Sequence, residues 1–147
     1  KNGKIIAFDV GTRTIGVALS DFGRMIATPM HTLTGRKWKQ NRTLLEPVME
    51  QENVVAAVVG LPLHMDGSQG SSADRALSFA DQFEQDFGVP VLLWDERLST
   101  VAAENALFEQ RTGRQTRASK KDVKEQVDSV AAALILEGVL TRLREQG

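Results

Sequence analysis

Residues 4–20, KIIAFDVGTRTIGVALS, decide how the rest of the chain is read. Ile5, Ala7 and Asp9 share one face of an extended strand and Ile6, Phe8 and Val10 the other, so an acid closes an otherwise apolar strand. Gly11 to Thr14 reads as a tight reversal into a second strand, Ile15 to Ser20, because glycine permits the backbone angles of a turn and β-branched residues resume after it. The stretch is a hairpin with a carboxylate at its rim. On these residues alone two uses of Asp9 stay open: a turn cap bonding its own backbone, or a charge reserved for chemistry.

Beyond the hairpin, Asp21 to Gly23 reads as a turn and Gly23 to Leu33 (GRMIATPMHTL) as a third strand, with Pro29 marking an edge or a bulge. Thr34 to Arg42 (TGRKWKQNR) sets four basic residues around Trp38, either a nucleic-acid footprint with an aromatic for stacking or a charged loop before a helix. Leu44, Leu45, Val48 and Met49 predict a helix to about Glu52, its start obscured by Pro47. Val54 to Val59 is a continuous apolar run, as in a strand covered on both faces, ended by Gly60. From Ser72 the positions Ala73, Ala76, Leu77, Ala80, Phe83 and Phe87 follow helical spacing, stopped by Gly88 and Pro90, and a strand, Val91 to Trp94, comes next. Ser99 or Thr100 caps a further helix to about Phe108, and Asp122 to Arg144 forms the last one. Between them, Arg111 to Lys121 (RTGRQTRASKK) carries five basic residues and reads as a mobile surface loop.

The order β-β-β-α-β-α-β-α-α predicts an α/β domain with a mixed five-stranded sheet and helices on both faces. Sites in such sheets lie beyond the carboxyl ends of the parallel strands, where Asp9, Gly60 to Gly67 and Asp95-Glu96 fall. The 147 residues fit one domain, without internal repeats. With no Cys, disulfide frameworks and thiolate zinc sites are excluded, and the two His, His31 and His64, hold no metal-ligand spacing. No apolar run approaches a membrane span and no signal peptide opens the chain, so a soluble cytoplasmic protein without membrane partners is expected. A formal net charge of −1 confines any attraction for nucleic acid to local patches.

Acids stand at three places where chemistry is expected. Asp9 ends the first strand, Asp95 and Glu96 end the last (VLLWDERLST), and Asp128 interrupts the apolar stripe of the final helix. Carboxylates gathered from separate elements repel one another and are tolerated when a divalent cation neutralises them; oxygen ligands favour Mg²⁺ or Mn²⁺. Such a set serves phosphodiester cleavage. Strand alternation allows only one of Asp95 and Glu96 to join Asp9, and leaves open which. The segment Gly60 to Ser72 (GLPLHMDGSQGSS) offers either backbone N–H groups to a phosphate at a helix N-terminus or a plain strand-to-helix loop. His64 and Asp66 read as structural or rim residues, and His31 has no role.

Taken together, FDVGTRTIGVALS, GLPLHMDGS, DERLST and VDSVAAALIL, in that order, closely resemble the YqgF/RuvX family. These are RuvC-like Holliday junction resolvase homologues, also assigned to maturation of the 5′ end of pre-16S ribosomal RNA. The resemblance spans nearly the whole chain. It implies an RNase H-like fold and a metal-dependent nuclease, endo- or exonucleolytic, acting on a ribosomal RNA precursor or branched DNA. It implies that Asp9, Glu96 and Asp128 are the catalytic, metal-binding acids, so it selects Glu96 over Asp95. Gly11, Gly16, Gly60, Pro62, Asp66 and Gly67 match residues that shape the site. Arg97, beside Glu96, is placed to contact phosphate or hold an acid. Arg13, Arg111, Arg114, Arg117, Lys120 and Lys121 form the expected nucleic-acid contacts. A junction resolvase acts as a dimer, and no interface is legible in these residues.

Two competing readings accompany this one. The first is a non-cleaving nucleic-acid-binding module of the same fold, against which the intact acids speak. The second is a nucleotide-binding domain related to actin, Hsp70 and sugar kinases, suggested by DVGT; those enzymes close two such domains over ATP, and this length supplies one.

Overall fold

Asp9 lies next to the carboxyl end of the central strand of a five-stranded sheet. In the computed structural model, which describes residues 3–34, 37–62, 70–96 and 120–146, the strands are β1 (Lys4–Val10), β2 (Ile15–Ser20), β3 (Ala27–Pro29), β4 (Val54–Leu61) and β5 (Val91–Asp95). Their spatial order is β3-β2-β1-β4-β5. β1 pairs antiparallel with β2, with Asp9 opposite Gly16, and parallel with β4, which pairs parallel with β5. The carboxyl ends of β1, β4 and β5 therefore point the same way. Three helices are described: α1 (Trp38–Gln51), α2 (Ser71–Phe87) and α3 (Lys120–Gln146). Side chains of residues 120–128 and 146 lie outside the description, as do the expected helix from Ser99 or Thr100 and the basic segment from Arg111.

Alternation along β1 separates two cores. Ile6 and Phe8 face Leu45, Phe79, Ala80 and Phe83 of α1 and α2. Ile5 and Ala7 face the other way, with Ala18, Val58 and the Ala132, Ala133, Leu136 and Leu140 row of α3. Asp9 continues the Ile5–Ala7 parity, so it stands on the α3 side of the sheet.

Three expected boundaries change. The third strand is short because the Asp21 carboxylate accepts hydrogen bonds from the Met25 and Ile26 amides, at 2.7 and 2.9 Å. This holds Gly23 to Ile26 in a turn, and Leu33 keeps only a single bridge to Ile15. Helix α1 begins earlier than the apolar spacing suggests, at Trp38. Trp38 is not a free stacking platform: its indole N–H donates to Asp86 Oδ2 at 2.6 Å and its ring meets Phe79, Phe83 and Phe87 edge-on. Pro47 is tolerated within the helix on its exposed side, where the carbonyl it leaves unbonded reaches water. Gly60 does not end β4, which runs on to Leu61. Gly88 does stop α2, with φ 71° and its N–H donating to the Glu84 carbonyl.

Candidate active site

The carboxyl ends of β1 and β5 bring two acids into contact. Trp94 packs in the α3-side core, and one further alternation along β5 returns Glu96 to that side, where Asp9 stands. The Glu96 and Asp9 carboxyls hydrogen-bond one another. Two carboxyls can do so only when one keeps its proton. Burial, then the charge of Asp9, its hydrogen bond, and the charge of Asp95 push the Glu96 carboxyl up from 4.5 to about 7. The parity that left Asp95 and Glu96 equivalent is thus resolved by which face Trp94 occupies.

Gly60 makes room for this pair. A Cβ there would stand 2.6 Å from Ile135 Cδ1 and 3.2 Å from both Cγ and Cδ of Glu96. Its missing side chain lets α3 and the Glu96 carboxyl close over the end of β4. Gly11 is required for a different reason: its N–H donates to the Thr14 carbonyl at 2.9 Å, and a Cβ would lie 2.8 Å from that same oxygen. The hairpin reverses immediately after Asp9 because of that close approach.

Helix α3 is seated beside Asp9 by a residue that the apolar spacing did not single out. Ser129, 1% exposed, hydrogen-bonds Thr32 Oγ1 at 2.9 Å and accepts from the Val17 amide at 3.5 Å. Val17 follows Gly16, the cross-strand partner of Asp9. The available signal was a serine inside an apolar stripe.

The remaining expected site residues divide as follows. Gly16 lies in β2 against Asp9, Pro62 follows β4, and Arg13 is exposed in the hairpin turn. Asp128, Lys120 and Lys121 belong to α3, with side chains outside the described residues. Asp66, Gly67, Arg97, Arg111, Arg114 and Arg117, together with His64, also lie outside them. Among the described residues no three acids or histidines cluster. The pair nevertheless fits a hard divalent cation: it is an all-oxygen donor set whose mutual repulsion is relieved here by a shared proton, which a cation would replace.

A family model described as Holliday junction resolvase, RuvX, matches residues 3–142. The chain belongs to the RuvX family. Among relatives of this RuvX chain, a protein of Cereibacter sphaeroides named "Putative pre-16S rRNA nuclease" is 45% identical over 97% of this chain and 86% of its own length. Proteins with the same name from Rhizobium rhizogenes and Paracoccus denitrificans are 43% and 42% identical, covering 97% and 100% of this chain and 84% and 89% of their own. Among solved structures, Thermus thermophilus RuvC in complex with a Holliday junction substrate superposes with a TM-score of 0.57 at 15% identity, over 96% of each chain. Fowlpox virus resolvase with its junction DNA gives 0.54 at 14% identity, over 95% of this chain and 98% of that one. The RuvX chain therefore has the RNase H-like fold of these RuvC-like resolvases.

Proposed function

We propose that this RuvX protein is a divalent-metal-dependent nuclease that cleaves a phosphodiester bond in structured RNA, in maturation of the 5′ end of pre-16S ribosomal RNA. The observation that carries the reading is the Asp9–Glu96 contact at the carboxyl end of the parallel strands. Burying two acids against each other opposes stability, and such an arrangement is retained where it does chemistry. The curated relatives and the family model support a nuclease, and the names of those relatives support the ribosomal substrate.

Asp9 and Glu96 would hold Mg²⁺ or Mn²⁺, with Asp128 as third ligand from α3. When bound, the metal supplies charge stabilisation at the scissile phosphate and a more acidic water. The chain supplies the positioning: β1 and β5 fix their acids from rigid strands, Gly60 keeps the space between them clear, and Ser129 fixes the rotation of α3. Arg13, Arg97 and the basic residues Arg111, Arg114, Arg117, Lys120 and Lys121 would meet the phosphate backbone. The partner is nucleic acid. Among the described residues no helix is long and apolar enough to cross a membrane.

The test is a side-by-side assay of an end-labelled ribosomal RNA precursor and a four-way DNA junction with Mg²⁺ or Mn²⁺. We expect cleavage of the precursor, with product lengths separating internal cutting from end trimming. Asp9→Asn should lower the rate at least a hundredfold while leaving binding in metal-free buffer intact. Cleavage of the junction alone would transfer the activity to branched DNA. Binding without product under either metal would make the protein a non-cleaving module.

A further inference from the structure

Glu96 lies beyond the last ladder pair of an edge strand. Among the described residues β5 is bonded to β4 alone, and their pairing ends at Leu61 and Asp95. Something other than the ladder therefore fixes where the Glu96 carboxyl stands. The β5 side chains that precede it on the α3 face are Leu92 and Trp94. Leu92 is 50% exposed, whereas Trp94 packs in the core. Trp94 is thus the anchor of this strand end against α3, and its seat is Gly138. A Cβ at Gly138 would stand 3.2 Å from Trp94 Cζ2 and 3.6 Å from both Cε2 and Nε1, so the nearest atoms outside α3 all belong to the indole. Glycine inside a helix costs stability relative to alanine, and here it lets the ring come against the helix backbone. No hydrogen bond holds the ring there: its Nε1–H is buried without a partner, a second cost. A helical glycine and an orphan donor meet at one contact, and what that contact supplies is shape.

The same contact is tied to the acids. Trp94 is the cross-strand partner of Gly60, and the open side of Gly60 is filled by Ile135 and Glu96. Ile135 and Gly138, three residues apart, are neighbours on one face of α3. That face meets Glu96 beside Ile135, and it meets Trp94, two residues earlier in the chain, at Gly138. We propose that Gly138 and Trp94 are positioning residues for the metal. The seat of the indole sets how far the end of β5 stands from α3, and so sets the separation of Glu96 from Asp9 that a shared divalent cation requires. Both residues act through Glu96 and touch neither cation nor substrate. This inference rests on the reading of Asp9 and Glu96 as metal-holding acids, and its test reads metal affinity apart from cleavage.

The experiment titrates Mn²⁺ into the metal-free protein by calorimetry, for wild type, Gly138→Ala, Trp94→Phe, the double variant and Leu92→Ala, with melting temperatures recorded alongside. Gly138→Ala raises helix propensity, so the helix itself tolerates it. Its methyl pushes the indole, and Mn²⁺ affinity should fall about tenfold, as when the support of a metal ligand is lost. Trp94→Phe, which withdraws the ring from its seat, should also weaken Mn²⁺ binding. In the double variant the smaller ring leaves room for the methyl, and affinity should return to within about threefold of wild type, a non-additive result that only a shared contact gives. Leu92→Ala, on the same face of the same strand, should bind Mn²⁺ as wild type does. A lowered melting temperature with wild-type Mn²⁺ affinity in both single variants would overturn the inference and leave a packing contact. So would a double variant no better than Gly138→Ala, an equal loss in Leu92→Ala, or no Mn²⁺ binding by wild type. Failure of the nuclease reading shows separately, as absence of product when these differences in Mn²⁺ affinity are present.

Discussion

Glu96 is an acid whose proton is held by its surroundings. In the folded, metal-free protein its carboxyl titrates near about 7 rather than 4.5, through burial first and then the charge of Asp9. Between those values the folded state binds a proton that the unfolded chain has released, so stability falls as pH rises through this window and the loss is complete above it. We therefore expect the metal-free melting temperature to decline from pH 5 to pH 8 more steeply in wild type than in Glu96→Gln, whose side chain cannot titrate. Parallel slopes would mean that the pair does not share a proton. Much of this was legible: an acid ending the apolar face of residues 4–10 announces itself. The choice of Glu96 over Asp95 came from the family resemblance and not from alternation, because alternation fixes relative faces along one strand and says nothing of which face of a distant strand joins them. Trp94 filling the α3-side core makes that choice in three dimensions.

At the scale of elements, β4 shows how packing overrides local reading. A glycine after an apolar run reads as a stop, yet β4 continues through it because the vacancy at Gly60 is filled by Ile135 of α3 and by Glu96. Gly60→Ala should cost about 1–3 kcal/mol in urea unfolding, the usual penalty for an added methyl in a filled space. It should also lower catalytic rate more than it lowers strand affinity, because the new methyl crowds the Glu96 carboxyl. Recovery of stability, but not of rate, on adding Ile135→Val would show that the two contacts are separate. The third strand was overestimated for a related reason. Residues 23–33 have strand-forming composition, but the Asp21 carboxylate captures two of their amides before they can join the ladder. Side-chain capture of backbone groups competes with pairing and leaves little trace in hydrophobic alternation. Likewise, the start of α1 was hidden because Trp38 is flanked by charged residues, while its burial comes from α2, forty residues away in sequence and more.

At the scale of the molecule, a nearly neutral chain must recognise a polyanion through local charge. The sheet order provides the location, since β1 lies between β2 and β4 and the parallel strands end together. The densest basic segment, by sequence, is Arg111 to Lys121. Neutralising Arg111, Arg114 and Arg117 together to Gln should weaken RNA binding and flatten its log–log salt slope by up to about 2, three contacts at roughly 0.7 each. An unchanged slope would exclude that segment from the phosphate contacts. The fold class was legible because element order and strand pairing are linked by connection rules, whereas the seat of α3, assembled from Val17, Thr32 and Ser129, has no contiguous signature.

The two tryptophans fall on opposite sides of the sheet. Trp94, two residues before Glu96, rests on Gly138, and Trp38 packs on Phe79, Phe83 and Phe87 of α2. Each side thus carries its own intrinsic fluorophore. Replacing either one by Phe would leave a single emitter, so that metal arrival at the acids and changes on the α1–α2 side of the sheet could be timed independently in a stopped-flow instrument, without attaching a dye.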